Sequence, residues 1–191
     1  ARPDGHPSGL FRVLVRKSET ATFDGMTKRG FLQAASLAAA VATSAAAGPP
    51  TASWDGPFQR EHPLTGRVYA TETQRFIEPS GLIARLSDAR FVLLGETHAN
   101  PDHHRLQAWI IRRLGRSGAP PAIVWEMAGP EHADALARFA GQPSALGRAL
   151  DWRERGWPAW DHYRPIAEAA AAIGAPMRPG ASDQGTERTV L

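Results

Sequence analysis

The sequence predicts an α/β domain: a mostly parallel sheet flanked by helices, preceded by an N-terminal hairpin. Three observations predict it. Phe91-Val92-Leu93-Leu94 is a short apolar run closed by Gly95, the pattern of a strand covered on both faces. Leu106, Ile110, Ile111 and Leu114 then recur at helical spacing. Ala122 to Trp125 is a second short apolar run, set off by the turn Gly118-Ala119-Pro120-Pro121. Strand, helix, strand is a βαβ unit, right-handed in nearly all cases, with both strands parallel in one sheet.

Taken in order, residues 1–25 show no periodicity and read as an upstream segment. Met26 opens a stretch with Lys28 and Arg29, a weakly apolar Ala-rich run, and Ala45 and Ala47 before Gly48. That is the layout of an export signal with an A-x-A cleavage site, so 26–47 is assigned to it. TKRGFLQ is similar to the twin-arginine export motif with Lys28 in the first arginine position, which leaves open whether export is of the folded or the unfolded chain. Gln33, Ser36, Thr43 and Ser44 make the same stretch too polar for a permanent membrane span.

Residues 48–65 are rich in Pro, Gly and polar side chains and read as a linker. Alternation over Gly66 to Phe76 predicts a hairpin turning near Thr71 to Thr73. Ser80 to Leu86 predicts a short helix with Leu82, Ile83 and Leu86 on one face. Asn100 caps the next helix, with Pro101 at its first position, Asp102 at the positive end of its dipole, and Gly115 as its stop. Further helices are expected over Glu131 to Phe139, Ser144 to Leu150 and Tyr163 to Ile173, and a third strand at Pro176-Met177. Asp151 to Trp160 carries three of the six tryptophans, which are expected to pack that loop onto the core in preference to stacking on a ligand. Periodicity ends after Arg178, so the domain spans 66–178 and 179–191 is an irregular tail.

Charge excludes one class of partner. Six of the 22 basic residues and three of the 19 acids precede residue 48, leaving 16 of each beyond it. The net +3 therefore belongs to the leader, and no basic patch with interleaved aromatics points to nucleic acid. With no cysteine, disulfides, thiolate metal sites and lipidation of a leader cysteine are excluded, and stability rests on the packed core.

Chemistry gathers after the strand at Phe91. Ligands in open α/β sheets bind outside the carboxyl ends of the strands, where Glu96 and His98 stand and where His103 and His104 begin the helix. Adjacent helical residues diverge by about 100°, so one of those two histidines is expected to face the crevice. Glu126 ends the second strand as Glu96 ends the first, and neighbouring parallel strands lie about 4.8 Å apart. Glu96, His98 and Glu126 are thus expected to share one crevice as catalytic groups. His98 and His104 are the candidate ligands for a divalent metal, with a carboxylate activating bound water, although their spacing is not that of HExxH.

LLGETHANPDHHRLQ, the strand ending in Glu126-Met127, and the Trp-Gly-Trp-Pro segment leading to Tyr163-Arg164-Pro165 together resemble the ChaN-like haem-binding uptake family of the Tiki superfamily, over roughly Leu64 to Met177. The resemblance implies an α/β fold, export to the bacterial envelope with peripheral association there, and a part in haem or iron uptake. It also implies haem, or an iron complex, held at a homodimer interface. Tyr163 and His103 are then the candidate cofactor-binding residues, with the tryptophans and Met127 offering apolar contact. In related members the strand-end Glu and His serve metal-dependent hydrolysis, so a hydrolase or esterase is the alternative, with Glu96, His98, His104 and Glu126 in the matching positions. The family's domain runs on past the third strand, and the tail from Pro179 is expected to depart from it. The chain is therefore expected to hold a C-terminally truncated ChaN-like domain, and an inactive remnant is the third reading.

Overall fold

The computed structural model describes residues 12–17, 48–50, 54–56, 60–116 and 119–181. The segment 26–47, read as an export signal, and most of the segment 179–191 lie outside them. Among the described residues no helix is long and apolar enough to cross a membrane.

The elements run β1 (Arg12–Lys17), β2 (Val68–Ala70), β3 (Arg75–Ile77), α1 (Pro79–Ser87), β4 (Ala89–Gly95), α2 (Pro101–Leu114) and β5 (Ile123–Trp125). A single 3-10 turn at Pro130–His132 leads into α3 (Ala133–Arg138), followed by α4 (Pro143–Ala149), α5 (Trp160–Ala172) and β6 (Met177–Pro179). Helix and strand are mixed as an α/β class requires, but the sheets are small and only partly parallel.

The hairpin forms with β2 and β3 antiparallel, Val68 opposite Ile77, and Gln74 takes the positive φ of 52° that reverses the chain. Between β4 and β5 the structure corrects the expected βαβ sheet. One edge of β4 is taken by β1 in an antiparallel ladder, Arg12 opposite Gly95, and β5 pairs in parallel with β6, Ile123 opposite Met177. Among the described residues no ladder joins β4 to β5. The strand at Arg12–Lys17 lies within the segment read as upstream. Among the described residues β4 is not covered on both faces: Phe91 and Leu93 are each 54% exposed.

The core lies in the C-terminal part. Trp125, Trp152, Tyr163, Leu136, Leu146, Leu150 and Met177 are buried together. Ala108 on α2 and Ala167, Ala169 and Ala170 on α5 are buried where the two helices pack along one another, small side chains that permit a close approach. Two glycines hold the packing. A Cβ on Gly147 would stand 2.5 Å from the Trp160 ring, and one on Gly115 would stand 2.6 Å from Ile173. Helix α5 begins three residues before the expected Tyr163. Trp160 is pinned by its Nε1, which donates to the Pro143 carbonyl at 3.0 Å, so the helix starts there and Pro165 falls within it.

Met127 is buried in this core, which removes it as a surface contact for a ligand. The tryptophans behave as packing residues: Trp152 sits 5.1 Å from Trp160 and 4.7 Å from Tyr163 between ring centroids, and its Nε1 donates to the Pro158 carbonyl at 2.7 Å.

Candidate functional site at the end of β4

The site is assembled where β4 meets α2 and α5. The N-terminus of α2 is capped as its sequence requires: Asn100 Oδ1 accepts the Asp102 amide at 3.0 Å, with Pro101 at the first position. The buried Asp102 carboxylate in turn accepts the amides of Asp55 at 3.0 Å and Gly56 at 2.7 Å, and pairs with Arg105. Part of the 48–65 segment is therefore fastened to α2.

Both histidines of the first turn are buried, because they point to different partners. His103 Nδ1 accepts the Thr97 amide at 2.9 Å, and its Nε2 lies 3.2 Å from the Asn100 side-chain nitrogen. This ring braces the loop. His104 is fully buried and faces the site: its Nε2 is 2.9 Å from Glu96 Oε2, and its ring lies 3.9 Å from that of Tyr163. The approach to Glu96 is within ion-pair reach, and among the described residues neither nitrogen of His104 has another hydrogen-bond partner.

Glu96 is the hub. Its Oε1 accepts from His98 Nδ1 at 2.7 Å and from the Tyr163 hydroxyl at 2.8 Å, while Oε2 faces His104. Burial would raise the Glu96 pKa, but His104, His98 and Tyr163 outweigh it and hold the carboxyl down at about 2. Tyr163 is shifted the opposite way: burial first, then the bond to Glu96 and the charges of Glu96 and Glu126, push its phenol well above the usual range. Its hydroxyl also lies 3.3 Å from the His98 carbonyl oxygen.

His98 is the open member of the group. Its side chain is 44% exposed against 7% for Glu96, and Trp157 meets it edge to face at 5.3 Å. An ionised carboxylate only accepts, so Nδ1 carries the proton that it donates to Glu96, and the Nε2 lone pair is left unused among the described residues.

Of the residues expected in the site, the structure brings together Glu96, His98, His104 and Tyr163. His103 is turned into the loop. Glu126 is exposed at the end of β5 and reaches the group only through its charge on Tyr163. Sequence reasoning missed His162, whose ring stacks 6.4 Å behind His104, and the pairing of Trp157 with His98. Neither carries a local pattern, since each meets its partner across α2, the β4 loop and α5. Among the described residues no group of three or more His, Asp or Glu is placed to hold a metal ion. The two oxygens of Glu96 face the imidazoles themselves, so these donors do not converge on a common point. An open cleft of about 640 Å³ lies elsewhere, between α3 and α4, lined by Glu131, Ala135, Arg138, Phe139 and Arg148. None of the expected site residues reaches it.

A mixed α/β chain with a Glu-His centre at the end of a strand defines the class. The family model described as haem-binding uptake, Tiki superfamily, ChaN matches residues 82–190, more than half of the chain, and the chain belongs to that family. The match runs through the segment after Pro179, which corrects the expectation that the family likeness stops there. No curated protein and no solved structure matches the chain.

Proposed function

We propose that this is a haem-binding protein that serves haem or iron uptake at the bacterial envelope, with the haem seated at the end of β4 beside His98 and Trp157. The observation that carries the reading is the family match laid over a site with one accessible imidazole. The residues there fit such a group: His98 offers a free nitrogen at the surface and Trp157 an aromatic edge, while Glu96 supplies a fixed negative partner. When bound, the haem would supply an iron centre able to take a ligand from the protein. The chain's own part is to hold, orient and shelter it.

The hydrolase alternative draws less from the geometry, since His98 and His104 lie on opposite oxygens of Glu96. Export rests on the leader between residues 26 and 47, and homodimerisation on the family's habit of holding haem between two copies. Titration of the 191-residue chain with ferric haem tests the function. A saturable Soret band at one haem per chain is expected, and sedimentation with and without haem should show dimers with it. A flat, nonspecific titration would remove the haem reading and leave the hydrolase and the remnant without a site to be separated.

A further inference from the structure

We infer that Tyr163, hydrogen-bonded to Glu96 and packed into the tryptophan cluster, is a redox-active tyrosine that yields an electron through the indoles and its phenolic proton to the Glu96 carboxylate.

The rings form one contiguous path. Trp152 is its hub, with centroids 4.7 Å from Tyr163, 5.1 Å from Trp160, 5.9 Å from Trp157 and 6.2 Å from Trp125. Trp160 and Trp125 lie 5.9 Å apart. Rings at these separations are in contact, and touching π systems exchange electrons far faster than groups parted by aliphatic packing. The path also reaches the surface: Trp152 and Tyr163 are buried, whereas Trp157 and Trp160 are partly exposed. An electron can leave through either of these indoles to a one-electron oxidant in solution.

Protons decide where the resulting hole rests. Oxidation makes an indole N–H or a phenol O–H strongly acidic, and the ring that can shed its proton to a nearby base keeps the hole. Trp152 and Trp160 give their Nε1 hydrogens to the carbonyls of Pro158 at 2.7 Å and Pro143 at 3.0 Å, which are feeble bases. The Nε1 atoms of Trp125 and Trp157 are buried without a hydrogen-bond partner among the described residues. Each oxidised indole therefore keeps its proton and remains a strong oxidant. Tyr163 differs, because its hydroxyl donates to Glu96 Oε1 at 2.8 Å and that carboxylate is ionised at neutral pH. The step balances. Tyr163 passes one electron to an oxidised Trp152, which returns to the neutral indole, and its proton moves to Glu96. A neutral tyrosyl radical is left beside a neutral carboxylic acid, and the oxidant in solution is reduced by one electron. The inference does not depend on the haem reading, although iron porphyrins are a source of one-electron chemistry.

Flash oxidation of the 191-residue chain by photo-excited ruthenium tris-bipyridine, with persulfate as the terminal electron acceptor, tests this by transient absorption. The chain has 2 tyrosines, so Tyr69→Phe leaves Tyr163 as the single source of a tyrosyl signal and serves as the reference. In the reference, the broad tryptophan-radical absorbance is expected to decay into the sharp tyrosyl band, more slowly in heavy water than in light. Adding Tyr163→Phe should abolish that band and prolong the tryptophan radical. Adding Glu96→Gln should slow growth of the tyrosyl band about 100-fold, the scale on which a positioned base accelerates proton transfer. Adding Trp152→Phe should also slow it, since a phenyl ring is too hard to oxidise to relay the hole. Tryptophan radicals that never give tyrosyl in the reference would overturn the inference. Unchanged growth in Glu96→Gln would remove the proton acceptor, and unchanged growth in Trp152→Phe would remove the indole path; either defeats the inference as stated. Should Trp152→Phe fail to fold by circular dichroism, Glu96→Gln and Tyr163→Phe decide the question.

Discussion

The two halves of the molecule are held together by different means. From α2 to β6 the chain encloses a core in which Trp125, Trp152, Trp160 and Tyr163 interlock and the alanines of α5 lie against α2. From β2 to β4 several large side chains look outward although Leu86 is buried: Tyr69 is 50% exposed, Phe76 42%, and Phe91 and Leu93 more. The functional group sits on the seam, with Glu96 and His98 delivered by the open half and His104 and Tyr163 by the packed one. The site therefore borrows its rigidity. Glu96 is fixed because α5 presents Tyr163 to it, and Tyr163 is fixed because Trp152 packs 4.7 Å from its ring.

The largest effect should come from the packed half. Trp152→Ala removes a fully buried indole and is expected to cost about 3–5 kcal/mol, read by urea unfolding. Haem binding should fall with it, since Tyr163 loses its support. A cost under about 1 kcal/mol, on the scale of ordinary surface changes, would mean that the cluster is loosely packed and the contrast between the halves is wrong.

Acid should act next, at the seam. The Glu96 carboxyl is held down at about 2 from an ordinary 4.5. A depressed carboxylate stabilises the fold fully above its unfolded pKa and loses that contribution as pH falls through the folded one. Glu96 should thus contribute on the order of 3 kcal/mol at neutral pH, lost between about 4.5 and about 2. Unfolding of wild type and Glu96→Gln across that window measures it. The two stability curves should converge as pH falls, and parallel curves would show that Glu96 is not the charged hub.

Gly147→Ala probes the packed half from the other side. Its new Cβ would stand 2.5 Å from Trp160, which is itself tethered to Pro143 and cannot simply swing away. Overpacking of this kind costs about 1–3 kcal/mol, and a neutral result would show that α4 can move off α5.

How much of this was legible in the sequence follows the same division. The cap of α2 was plain because Asn100, Pro101 and Asp102 act on their own helix. The hairpin and both short core strands were plain because period and turn residues are local signals. Glu96 and His98 were legible as a pair, two residues apart at a strand end. What failed was nonlocal. Which strand pairs with β4 depends on β1, distant in the chain, and the apolar run Phe91 to Leu94 suits a strand buried on both faces as well as one exposed on one. The two adjacent histidines could not be sorted either. Divergence by about 100° suggested that one faces out, whereas the loop at Thr97 folds back to receive the other.

The smallest effect is expected on the open face of β4, and it tests the contrast most directly. Alternate residues of a strand point to opposite faces, so Phe91 and Leu93 share one side and Val92 and Leu94 the other. The inner side is engaged: Val92 and Leu94 are partly buried, and the Leu94 carbonyl accepts from Gln107 Nε2 at 3.0 Å. The outer side meets mainly solvent, with the Arg90 guanidinium 5.2 Å from the Phe91 ring centroid. Phe91→Thr and Leu93→Thr keep a good strand former and remove apolar surface that is already half in water. Each should change stability by no more than about 0.5 kcal/mol, while Leu94→Ala costs more than either. A loss of 2 kcal/mol or more at Phe91 or Leu93 would mean that this face is covered in solution. β4 would then be the doubly buried strand that its apolar run suggests.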